Sequence, residues 1–180
     1  MIANLRGRAL LPSAVLASAM LAAGVCVAGC GPRALATGEM ARGFTLPALD
    51  DRRPVSLSRY AGRPVVINFF ASWSPPCTAE TQLLAHFYRF YHGKVAIVGV
   101  DTRDDRAAAI ALLRASGVTY PVGADPHLVV SARYHVPGVP ATYFLDAQHQ
   151  IVRTSLGWLS WKKLRAGVAL SGVNLPAPRG

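Results

Sequence analysis

Ser74, Cys77 and Glu80 stand three residues apart in Ser74-Pro75-Pro76-Cys77-Thr78-Ala79-Glu80, and a cysteine so placed at the start of a helix can do thiol chemistry. The thiolate is the nucleophile toward disulfides and peroxides, and the first helical turn favours it through free N–H groups and the helix dipole. Pro75 and Pro76 suit the first two helical positions, where no N–H donor is required. Ser74 then becomes the N-cap, and its hydroxyl is expected to accept from the Cys77 N–H. The chain holds three cysteines, at positions 26, 30 and 77.

The fate of the first two follows from the N-terminus. Arg6 and Arg8 precede an uncharged apolar stretch from Ala9 to Ala28, the pattern of a signal peptide. About 20 apolar residues would also span a bilayer, so an uncleaved anchor has the same appearance. Val27-Ala28-Gly29-Cys30 resembles the lipobox of bacterial lipoproteins, which implies processing of residues 1–29 and lipidation of Cys30. An ordinary secretory peptide with a chance cysteine is the other reading. All three put the domain outside the cytoplasm, and the lipoprotein reading attaches it to the outer side of the cell membrane in a bacterial envelope. Cleavage removes Cys26, Arg6 and Arg8 and lowers the formal charge from +10 to +8. Cys77 is then the one free thiol, and no internal disulfide can form. In an oxidising compartment such a thiol either reacts with a partner or is buried as an inert apolar group.

The remaining basic charge is scattered over Arg52, Arg53, Arg59, Arg63, Arg89, Arg103, Arg106, Arg114 and Arg133, without a run or interleaved aromatic platforms. This pattern argues against nucleic acid and fits an arginine-rich solvated surface or attraction to an anionic membrane. Lys162, Lys163 and Arg165 read as a solvated helix face.

The elements that must hold Cys77 can be read from hydrophobic period. Residues 30–42 read as a tether, 43–172 as one domain and 173–180 as a disordered tail. Phe44 to Leu46 and Val55 to Leu57 read as short strands around a turn at Asp50-Asp51. Val65 to Phe70 reads as a core strand running into a helix from Pro75 to Tyr91, whose apolar face is Leu84, Phe87, Tyr88 and Tyr91. Val95 to Val100 reads as a strand, followed by helices over Asp104 to Ser116 and His127 to Tyr134. Thr142 to Leu145 and Ile151 to Thr154 form a hairpin, and a last helix opens at Ser160 with Trp161, Leu164 and Val168 inward. This order predicts an α/β sandwich with a mixed β-sheet.

Two segments carry a resemblance. Ala71-Ser72-Trp73-Ser74-Pro75-Pro76-Cys77 resembles the Trp-Cys-Pro-Pro-Cys active site of TlpA-like membrane-anchored thioredoxins, and Gly138-Val139-Pro140-Ala141-Thr142-Tyr143-Phe144-Leu145-Asp146 resembles their cis-proline loop and following strand. The resemblance spans about Phe44 to Leu170 and implies a thioredoxin-like α/β sandwich with a central mixed β-sheet and flanking helices. It also implies thiol-disulfide oxidoreductase chemistry on protein thiols or disulfides, with a partner reductase or an apocytochrome among the candidates, no cofactor, a cis Val139-Pro140 bond, and a monomer. In the family the first cysteine attacks a disulfide and the second resolves the mixed disulfide. Here the first is Ser74, whose hydroxyl forms no disulfide, so the two-step exchange cannot run within the chain and only intermolecular mixed disulfides at Cys77 remain. In similar proteins a carboxylate at the position of Glu80 lies beneath the active site and influences thiol ionisation; a solvated helix-surface glutamate is the alternative.

Two further readings stand beside this one. Ser74-x-x-Cys77-x-x-Glu80 also resembles peroxiredoxins, in which the cysteine attacks a peroxide to give a sulfenic acid. This chain has Phe70 where their proline stands and Pro140 where their activating arginine is expected. Alternatively, a groove walled by Trp73, Val139 and Pro140 can hold an extended peptide with no electron transfer. His86, His92, His127, His135 and His149 lack metal-ligand spacing with Cys77 or with one another, so no metal site is expected.

Overall fold

The computed structural model describes residues 34–50, 53–91 and 94–176. The signal segment and Cys30 lie outside the described residues.

The strand Val65–Phe70 (β3) organises everything else because it is buried on both faces. Its period of two sends Val65, Ile67 and Phe69 into one apolar cluster and Val66 and Phe70 into the other. Asn68 shares the second face. β3 lies at the centre of a five-stranded sheet in the order β5-β4-β3-β6-β7. Its neighbours are Ala96–Thr102 (β4), which is parallel to it, and Ala141–Leu145 (β6), which is antiparallel. Val122–Asp125 (β5) extends the sheet beyond β4, and Ile151–Leu156 (β7) closes the hairpin with β6. The two short strands Thr45–Leu46 (β1) and Val55–Ser56 (β2) pair separately.

Pro75–Phe90 (α1) and Trp161–Leu170 (α4) cover the Val66/Phe70 face, where Leu84, Phe87, Leu164 and Val168 are fully buried. Arg106–Ala115 (α2) contributes Ala109 to the same cluster. The short helix Val129–Arg133 (α3) packs Val130 into the opposite cluster, beside Tyr134 and its aromatic contacts with Phe69 and Tyr143. The result is the α/β sandwich with a central mixed sheet that the order of elements predicts, and it has the thioredoxin-like form that the resemblance implies.

Three local differences have physical causes. The strand β5 is absent from the sequence reading, because Val122-Gly123-Ala124-Asp125 is short and follows Pro121 with little apolar period; its pairing with β4 comes from the tertiary context. The segment read as a free tether is docked from Leu35 onward. Leu35 is buried, Gly38 N–H donates to the Ile151 carbonyl at 2.8 Å, and Ile151 N–H donates to the Glu39 carbonyl at 2.8 Å, which satisfies the open edge of β7. The expected tail also begins docked: Val173 and Leu175 pack on the core, and Arg165 Nη1 donates to the Pro176 carbonyl at 3.0 Å. Residues 177–180 lie outside the described residues.

Candidate thiol site

The C-terminal end of β3 feeds α1 through Ala71–Ser74, while the start of β6 and the end of β7 meet at the same edge of the sheet. This is the edge at which open α/β sheets gather functional groups. Ser74, Cys77, Glu80, Trp73, Val139 and Pro140 are therefore brought together by topology. The Val139–Pro140 bond is cis.

Cys77 is fully buried and Ser74 nearly so. Ser74 is the N-cap residue of α1, but its hydroxyl does not cap. Its carbonyl accepts from Cys77 N–H at 2.9 Å and from Thr78 N–H at 3.3 Å, while its hydroxyl bonds to the Cys77 sulfur. The correction has a simple cause. With Pro75 and Pro76 lacking N–H groups, the tight turn brings the Ser74 carbonyl to the first available donor and leaves the hydroxyl free for the thiol.

The sequence leaves open whether Cys77 is a reactive or a buried thiol, and the structure buries it. Burial pushes the Cys77 thiol up; hydrogen bonding from Ser74 and from the backbone at Ala71 pulls the other way without overcoming it, and the charges of Glu80 and Asp104 add to the rise. Desolvation outweighs the helix terminus here.

Glu80 is 1 % exposed, which excludes the solvated-surface alternative. Its Oε1 accepts from Asn68 Nδ2 at 2.7 Å and Thr142 Oγ1 at 3.0 Å, and its Oε2 from Leu159 N–H at 2.8 Å. The Glu80 carboxyl is nevertheless raised, because burial outweighs these donors and the Lys163 charge. Asn68 is the single polar residue in β3, and that interruption of an apolar run is the sequence signal for the network.

Trp73 is 63 % exposed and donates Nε1–H to the Arg103 carbonyl at 3.2 Å. Beside it runs a largely apolar groove of about 460 Å³ lined by Trp73, Thr102, Leu128, His135, Val136 and Val139, among others. Pro140 is buried and does not line the groove. A second cleft of about 610 Å³, between Arg53–Tyr60 and Val118–Val122, shares no residue with the thiol site.

Sequence reasoning missed the frame of the loop. Ser72 donates both N–H and hydroxyl to Asp104, the latter at 2.8 Å to Oδ1. Asp104 read only as the start of a helix. Among the described residues no group of three or more His, Cys, Asp or Glu side chains could hold a metal ion.

A thioredoxin-like fold with a buried helix-start thiol beside a cis-proline loop defines a class of thiol-disulfide proteins. The family model described as AhpC/TSA family matches residues 37–154. The thiol-disulfide oxidoreductase ResA of Bacillus subtilis (strain 168) is 27% identical over 131 residues, covering 72% of this chain and 73% of that protein. ResA of Oceanobacillus iheyensis is 30% identical over 131 residues, covering 71% and 68%. A secreted Mycobacterium tuberculosis disulfide oxidoreductase superposes with a TM-score of 0.62 at 28% identity, covering 70% of this chain and 94% of that one. The chain belongs to the AhpC/TSA family, among its thioredoxin-like thiol-disulfide oxidoreductases.

Proposed function

We propose that this protein is an extracytoplasmic, lipid-anchored single-thiol member of the family that grips thiol- or disulfide-bearing segments of exported partner proteins. Its covalent chemistry is confined to an intermolecular mixed disulfide at Cys77. The observation that carries the reading is the juxtaposition of an open apolar groove at Trp73 and Val139 with a thiol held immediately behind Ser74. The groove binds extended backbone and side chains without needing a second cysteine. In the covalent step the Cys77 thiol loses its proton, its sulfur attacks one sulfur of a partner disulfide, and the other sulfur leaves as a thiolate that takes up a proton. The leader before Cys30 supports an envelope location, and the similarity to a secreted disulfide oxidoreductase agrees with it. No helix among the described residues is long and apolar enough to cross a membrane.

A redox-silent binding module is the second reading, favoured by the complete burial of Cys77. Peroxidase chemistry stands behind both, because Phe70 and Pro140 occupy the places of the proline and the activating arginine that peroxiredoxins carry. Incubation with a disulfide-bearing peptide, followed by intact-mass measurement, separates the readings. A peptide adduct lost in Cys77→Ser supports mixed-disulfide chemistry. Peptide binding with no adduct in either protein leaves the silent module, and peroxide consumption without a thiol partner would restore the peroxidase.

A further inference from the structure

A pair of acidic groups, Asp101 and Asp104, is tied to the active-site loop through Ser72. Asp101 is the last residue but one of β4, at 4 % exposure, and its Oδ1 has no hydrogen-bond partner. Its carboxyl is hydrogen-bonded to that of Asp104. Asp104 is the better supplied with donors of the two: its oxygens accept from Ser72 N–H, from Ser72 Oγ at 2.8 Å and from Asp105 N–H at 2.8 Å. An ionised Asp101 would present a bare charged oxygen to the interior and repel the Asp104 carboxylate beside it. The arrangement is satisfied when Asp101 keeps its proton and donates it to Asp104. The same loop holds Trp73 through the Arg103 carbonyl, with Arg103 in the left-handed region at φ 49.

We propose that Asp101 and Asp104 form a proton-operated latch on the active-site loop. A proton on Asp101, donated to Asp104, fixes the Asp104 carboxylate against Ser72, and loss of that proton releases the segment Ser72–Ser74 that touches Cys77. The charged and titratable groups of the surrounding elements fit this assignment. From α1 come Cys77 and Glu80; Asp104 acts on the Cys77 thiol, and Glu80 is engaged by Asn68, Thr142 and Leu159. From β5 comes Asp125, whose carboxylate is occupied by Val130 N–H and by Ser131 N–H and Oγ. The loop and the start of α2 carry Arg103, Asp105 and Arg106, and Asp105 caps α2 by accepting from Ala108 N–H at 2.8 Å. Asp104 is the charge that bears on Asp101. Burial and that charge hold the Asp101 carboxyl up to about 8, which puts release of the latch on the alkaline side of neutrality.

The latch does not depend on whether Cys77 ever forms a mixed disulfide. It is tested by nuclear magnetic resonance of the full chain in detergent, isotopically labelled, from pH 4 to 10. In the wild type the Asp101 carboxyl carbon is expected to titrate far above the ordinary carboxylate range, with the Ser72 amide and Trp73 indole signals moving at the same midpoint. In Asp101→Asn, which keeps the shape and a donor toward Asp104, those two signals are expected to lose the shared transition. Titration of Asp101 in the ordinary range, or a Ser72 transition that persists in Asp101→Asn, would overturn the proposal. The wild-type titration decides the matter even if the variant fails to fold.

Discussion

The Ser74 hydroxyl rests on the sulfur of Cys77, one turn into α1, and not on the helix N-terminus. The contact gives the thiol one favourable partner, but the burial around it wins and the thiol stays protonated. Native Cys77 should therefore react with iodoacetamide at pH 7 at least about tenfold more slowly than a free thiol, and at an ordinary rate once the chain is unfolded. Labelling of the folded protein as fast as free cysteine would contradict the buried, protonated thiol.

Trp73 projects from the loop next to Ser74 with most of its ring in solvent, so its role is in contact with partners and not in holding the fold. Trp73→Ala should weaken binding of an extended disulfide-bearing peptide by about tenfold or more, as truncation of an aromatic anchor does. The thermal midpoint should move little. Fluorescence anisotropy with a labelled peptide measures the first effect and a melting curve the second; unchanged affinity would remove Trp73 from the groove's binding surface.

The core strands were readable because Val65–Phe70 and Ala141–Leu145 carry concentrated apolar runs next to recognisable loops, and such runs fix a buried strand whatever surrounds them. The positions of Ser74, Cys77, Glu80 and Val139–Pro140 followed from those loops. What the sequence could not supply was the contest of energies at each group. Whether Cys77 ionises depends on desolvation against hydrogen bonding, and Glu80 reads alike in sequence whether it faces water or Asn68. The link from Asp101 through Asp104 to Ser72 joins the end of β4 and its following loop to the loop after β3, which come together only after β3 and β4 align in parallel. The docking of Leu35 and Gly38 on β7 was hidden for the same reason: a polar, glycine-containing stretch becomes ordered when an open strand edge offers it partners.

Asp101 also makes stability depend on pH in a defined direction. Its carboxyl is raised in the folded protein from 3.8 to about 8, so between these values the unfolded chain releases a proton that the folded chain keeps. The unfolded state then binds fewer protons, and stability falls as pH rises through this window. Glu80, also raised by burial, adds to the fall with the same sign. Asp101→Asn carries no charge in either state and should flatten the slope, gaining stability over the wild type at pH 8 relative to pH 5. Urea midpoints at the two pH values check this; parallel loss in both proteins would remove Asp101 as a source of the slope.

Gly167 sits in α4 against the ring of Phe144 of β6. A Cβ at Gly167 would stand 2.5 Å from Phe144 Cδ1 and Cζ, with Cε1 also inside contact distance. Two effects compete in Gly167→Ala. Alanine improves helix propensity by about 1 kcal/mol, whereas overpacking a filled core costs about 1–3 kcal/mol. Phe144 is fully buried beside its cross-strand partner Val66 under the helix layer, so its ring cannot swing into solvent, and the steric cost should prevail. Gly43, where a Cβ meets nothing within 4 Å, provides the control. Chemical unfolding should show Gly167→Ala destabilised by about 1–2 kcal/mol and Gly43→Ala near wild type. A stabilised Gly167→Ala would mean that α4 can slide on the sheet and that the Phe144 contact does not set its position.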